Sequence, residues 1–137
     1  LKIYLGEIVK ILTWLASLIG ISLASNALAD APVLPKSEHA IIIHFTYGST
    51  DLSRLFTLED QLEHAITQAG TGELDGHEIA VDGSDGYLYM YGPDADRLFE
   101  TIKPILKSTS FMLGAEVTKR YGPPNAESKE SFVVIEL

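Results

Sequence analysis

The chain predicts an α+β domain in which one antiparallel sheet carries two helices on a single face. Three observations predict it. Extended apolar segments alternate with two segments of helical period, in the order strand, helix, strand, strand, helix, strand, strand. The first and third strands are apolar on both faces, as strands at the centre of a sheet are. A glycine-rich stretch joins the second strand to the third, which signals a hairpin.

The first strand is HAIIIHFTYG, from His39 to the break at Gly48, and is rich in β-branched and aromatic residues. Thr57 is the expected N-cap of the first helix, with Asp60 three residues on as its capping partner. Leu58, Leu62, Ile66 and Ala69 form the helix's apolar stripe, and Gly70 is its expected C-terminal cap. GHEIAVD, from Gly76 to Asp82, reads as a shorter strand with Ile79 and Val81 on one face. GSDG is the turn, with Asp82 and Asp85 as turn formers and positive φ expected at Gly83 and Gly86.

The third strand, YLYMYG, starts at Tyr87. Pro93 then falls in the expected first turn of the second helix, where Asp94 and Asp96 suit the helix dipole. Leu98, Ile102, Ile105 and Leu106 continue the apolar face, and Pro104 is expected to kink the helix. Gly114 opens the strand AEVTKRYG, PPNAESKE is a polar loop, and SFVVIEL is the last strand. The first six elements match the split β-α-β unit of the ferredoxin-like fold, with an extra C-terminal strand. In that fold the first and third strands are central, which agrees with their double-sided apolar pattern. The helices cover one face of such a sheet and leave the other open.

At LYMYGPDADRLF and RYGPP the chain resembles a family of small uncharacterised bacterial domains, over roughly Ile41 to Leu137. The resemblance implies the ferredoxin-like fold and brings no catalytic residue with it.

Residues 1–29 stand apart from the domain. Lys2 and Lys10 precede an apolar run from Ile11 to Ala24, and Ala27 and Ala29 form an A-x-A site before Asp30. A basic start, a short apolar run and small residues at the cut are the pattern of a secretory signal peptide. The run is short of the about 20 apolar residues that a membrane span needs. Cleavage before Asp30 would leave residues 30–38 as a flexible leader and 39–137 as a single domain. The product would be exported, periplasmic or secreted, and tied to a membrane only if the leader stayed uncleaved.

The formal net charge of the 137-residue chain is −9. Loss of the leader removes two lysines and one glutamate and makes the remainder more acidic still. Such a surface is repelled by phosphate backbones, so nucleic acid is a poor partner. The chain has no cysteine, which excludes thiol catalysis and cysteine-ligated zinc.

The stretch DGSDGYLYMYGPDADRLFE offers a possible calcium loop. Asp82, Ser84 and Gly86 alternate, but the closing glutamate is missing and a strand begins in its place. His39 and His44 are five apart on one strand and point to opposite faces. His44 and His77 lie on strands of one sheet, which leaves a shared pocket open as a possibility. Ser84 lacks the setting of a nucleophile elbow. Glu78 and Asp82 share a strand face, but in so acidic a chain that pairing is close to chance. No metal, cofactor or catalytic residue is expected.

Tyr87, Tyr89 and Tyr91 alternate with Leu88 and Met90. If the aliphatic pair meets the helices, the tyrosines line the open face. Tyrosine couples apolar area to a polar tip and is enriched where proteins meet. Tyr87, Tyr89, Tyr91 and His44 are the expected partner-binding residues, and the expected partner is a protein: a second copy in a homodimer, or another envelope protein. Two other functions fit the sequence. One is an inhibitor or immunity-type protein whose acids, Asp82, Asp85, Asp94 and Asp96, mask a basic enzyme. The other is a small enzyme or ligand-binding domain with a pocket near His44 and His77.

Overall fold

A computed structural model describes residues 38–137. The expected signal peptide, and all of the flexible leader except Glu38, lie outside the described residues. The order of elements is β1 (His39–Thr46), α1 (Ser53–Ala69), β2 (Glu73–Ile79), β3 (Asp85–Gly92), α2 (Ala95–Ser108), a single 3-10 turn (Ser110–Met112), β4 (Glu116–Tyr121) and β5 (Lys129–Val134). The five strands form one sheet in the order β2-β3-β1-β4-β5, and every pairing is antiparallel. This is the expected ferredoxin-like arrangement, with the extra strand added beside β4.

β1 lies at the centre because both of its faces are apolar. Ile41, Ile43 and Phe45 point to the helices and are at most 1% exposed. Opposite them on β3, Met90 pairs with Ile41 and Leu88 with Ile43. Both β3 residues are fully enclosed. α1 adds Leu55, Leu58, Leu62 and Ile66 to this core, and α2 adds Ala95, Leu98, Phe99, Ile102 and Leu106. Burial of this layer is the main favourable term for folding, at about 25 cal/mol per Å² of apolar surface.

The helix ends show what the sequence conveyed poorly. α1 begins a turn earlier than Thr57, after Leu52, which has no capping side chain; the Asp51 carboxylate accepts from Ser53 N at 3.0 Å instead. Thr57 lies inside the helix and donates its hydroxyl to the Ser53 carbonyl at 3.0 Å. The earlier start brings Leu55 into the core, and the stripe ends at Ile66 because Ala69 faces solvent. Gly70 closes α1 as expected, with φ 63°. Thr71 N donates to Ile66 O, which satisfies a carbonyl of the last turn.

The cap of α2 is Asp94, so Pro93 stands just before the helix and not in its first turn. The Asp94 carboxylate accepts from Asp96 N and Arg97 N at 3.0 and 3.1 Å. His39 Nδ1 accepts from Ala95 N at 3.1 Å. The chain's own side chains therefore satisfy the leading donors of α2. Pro104 lies within α2, which continues to Ser108. Pro104 and Glu100 are both exposed, so water can serve the carbonyl that proline leaves without a donor.

The β2–β3 hairpin is shifted from the expected position. β2 ends at Ile79, and the turn is built from 80–84. Val81 is fully exposed at its tip, so it does not share a buried face with Ile79. Asp82 Oδ1 accepts from Ser84 N at 2.9 Å, and Gly83 takes φ 72°. Gly83 also lies against the Ser49 carbonyl, 2.1 Å from where a Cβ would stand. Gly86 does not adopt positive φ. It is a residue of β3, and a Cβ there would meet the Glu78 carbonyl at 2.6 Å. Asp85 is likewise the first residue of β3 and not a turn former. β4 and β5 match the expected strands with trimmed ends, and β5 begins within the predicted loop at Lys129.

Candidate binding face

The strand pattern splits the side chains of the sheet between two layers. Residues directly opposite on paired antiparallel strands point to the same face. One row across the face away from the helices therefore reads Glu78, Tyr87, His44, Glu116, Val134. The next reads Gly76, Tyr89, Ile42, Thr118, Phe132, and the third Glu73, Tyr91, Ala40, Arg120, Glu130. The three tyrosines and His44 thus lie together on the open face.

His44 is held at the centre of this face. Its Nε2 donates to Asp85 Oδ2 at 3.0 Å, and its Nδ1 is 3.9 Å from Glu116 Oε2. Its ring stacks on Tyr87, with centroids 4.6 Å apart and planes at 21°. Tyr87 in turn is near-parallel to Tyr89, at 6.2 Å and 17°. Tyr89 donates its hydroxyl to Glu78 Oε2 at 3.1 Å. Burial, followed by that hydrogen bond and the Glu78 charge, holds the Tyr89 phenol above its ordinary pKa. The result is a continuous polar-edged aromatic ribbon running along β3.

Sequence reasoning missed two groups. Phe132 and Val134 extend the ribbon across β5, at 73% and 50% exposure. Their alternation within SFVVIEL carries that information, once the neighbouring strand is known. Asp85 and Glu116 flank His44, and Asp85 was legible by parity, since it alternates with Tyr87. A shallow depression of about 370 Å³ lies between His44, Tyr87, Glu116, Phe132, Val134 and Ile42. Among the described residues of the three rows and Asp85 beside them, carboxylates of Glu73, Glu78, Asp85, Glu116 and Glu130 stand against Arg120 alone, so the field of the face favours cationic groups.

His44 and His77 do not share a pocket. His77 pairs with Leu88 and lies on the helix side, where its Nδ1 is 2.8 Å from Glu59 Oε1 of α1. Glu78 and Asp82 do not share a strand face either, because β2 ends before Asp82. The four acids expected to mask a basic enzyme each have a partner within the fold: Asp82 in its turn and Asp85 at His44, besides the two on α2. Asp94 caps α2, and Asp96 accepts from Lys119 Nζ at 2.6 Å and from the Tyr121 hydroxyl at 2.9 Å. The Lys119 hydrogen bond, then that of Tyr121, holds the Asp96 carboxyl below its ordinary pKa. Its bond to Asp96 raises the Lys119 ammonium above its own. Among the described residues no cluster of three histidines, cysteines or carboxylates is arranged to hold a metal ion. No described helix is long and apolar enough to cross a membrane.

No known family, curated protein or solved structure matches the chain.

Proposed function

We propose that this is an exported, non-enzymatic protein-binding domain that receives its partner on the open face of its sheet, through Tyr87, Tyr89, Tyr91 and His44. The observation that carries this reading is the stacked ribbon of His44, Tyr87 and Tyr89, with Phe132 and Val134 exposed on the same face, over which no helix lies among the described residues. An aromatic and aliphatic patch with a carboxylate rim combines apolar area with a preference for basic partners. The signal-peptide pattern of residues 1–29 supports an envelope location, and the acidity of the chain argues against nucleic acid.

The rival readings have less support. A mask of free acids would need Asp94 and Asp96, which are committed to a helix cap and an ion pair. An enzyme site at His44 and His77 would need them on one face of the sheet.

Site-specific photo-crosslinking in the native envelope tests the proposal. A crosslinker at Tyr87 should capture a defined protein, and one at the exposed Glu63 of α1 should not. Tyr89→Ala should abolish capture while the domain stays folded. Equal capture from both faces, or a Tyr89→Ala protein that is simply unfolded, would overturn it.

A further inference from the structure

The two edges of the sheet are built differently. β2, at one edge, carries a register shift between Leu74 and Gly76, and Gly76 sits at φ 139°. It also carries Glu73, Asp75 and Glu78, so a second acidic strand is repelled there. β5, at the other edge, has none of these guards. Its register with β4 is regular from Lys129 to Val134. It contains no proline or glycine and carries one lysine and one glutamate, a neutral strip on a strongly acidic chain. Among the described residues no strand lies beside its outer backbone groups.

We propose that β5 pairs antiparallel with β5 of a second copy of this chain, about a two-fold axis through Phe132. A two-fold normal to the sheet keeps like faces on the same side, so facing residues must have the same parity. Pairing centred on Ser131 sets the apolar Val134 against Ser128, beyond the strand, whereas centring on Phe132 leaves only Lys129 outside it; pairing centred on Val133 sets Glu130 against Glu136. Centring on Phe132 places the two phenylalanines opposite each other and Glu130 opposite Val134, and no carboxylates face one another. The interface is isologous and closed, as most homodimers are. It joins two five-stranded sheets into one of ten, with both open faces on the same side. The second copy occupies the edge, and the aromatic face stays free for its own partner.

The chain has no cysteine, so a single introduced thiol reports its neighbour without interference. Cα atoms of directly opposed residues lie about 4.5–5.5 Å apart, within disulfide reach. On mild oxidation of the full chain, Phe132→Cys should form a disulfide-linked dimer. Val134→Cys should not link to itself, but should link to Glu130→Cys when the two are mixed. Sedimentation of the unaltered chain should give twice the monomer mass, and Phe132→Lys should return it to the monomer. Tyr87→Ala should leave the dimer intact, which separates this edge from the binding face. A monomer at every concentration, or self-linking at Tyr87→Cys in place of Phe132→Cys, would overturn the proposal. The latter would set the copies face to face.

Discussion

Leu88 and Met90 on one face of β3 are fully enclosed, whereas Tyr87 on the other keeps 37% of its surface. Each face of the sheet also carries a histidine bound to a carboxylate. His77 and Glu59, at 2.8 Å, link β2 to α1, and their side chains are 22% and 16% exposed. His44 and Asp85, at 3.0 Å, lie on the open side at 39% and 45%. The chemistry is the same in both places, but one pair ties a helix to the sheet and the other joins two strands on the displayed face. The difference teaches that layer, more than residue type, decides whether a polar pair serves the fold or is left for a partner.

The sharpest way to break this comparison is to truncate both faces of one strand. Leu88→Ala should lower stability by about 2–5 kcal/mol, as core truncations do. Tyr87→Ala should cost under about 1 kcal/mol, in keeping with its partial exposure. Denaturant melts of the two variants would collapse the distinction if the costs came out equal. The histidine pairs give the next largest contrast. Glu59→Gln should cost roughly 1 kcal/mol, because it weakens a charge-assisted bond in a partly buried place. Asp85→Asn should change stability by less than about 0.5 kcal/mol. Thermal unfolding at neutral pH measures both.

Two smaller effects are read in pH. Tyr89 has a raised pKa, so its contribution is intact below the ordinary tyrosine value of about 10 and is lost as pH rises through the raised one. Glu78→Gln should bring the Tyr89 titration part of the way back, since burial is the larger cause. Ultraviolet phenolate absorbance follows it. On the helix side, Asp96 is depressed, so its contribution holds above the usual aspartate range and fades as pH falls through the lowered value. Lys119 is raised, so its contribution fades only as pH climbs through the raised value. Asp96→Asn should weaken both dependences in thermal melts across pH, with little change in fold.

The topology was legible because it follows from burial. A strand apolar on both sides can only be central, and β1 and β3 are the two that satisfy this. Gly70 was legible because a helix end needs a residue at home with positive φ. The start of α1 was not, because Leu52 offers no cap side chain and Thr57 imitates one. Asp85 and Gly86 were assigned to the turn on composition, yet composition does not distinguish a turn glycine from one that admits a neighbouring carbonyl. The tyrosine face was legible from alternation alone. Its continuation through Phe132 and Val134 depends on the order β1-β4-β5, a long-range fact that no local window contains.

The position of β1 also governs when the domain can form. It precedes every other described strand, and among these it pairs with β3 and β4 and not with its successor β2. Two of the four strand pairings, both made by β1, therefore depend on contacts distant in sequence, which slows folding. During synthesis AIII leaves the ribosome as an uncharged β-prone segment and waits unpaired until β3 has been made through Gly92, and its second edge waits until Tyr121. A chaperone that binds short apolar stretches has its natural substrate in that interval, and a pause before β3 is where the newborn chain is most open to aggregation.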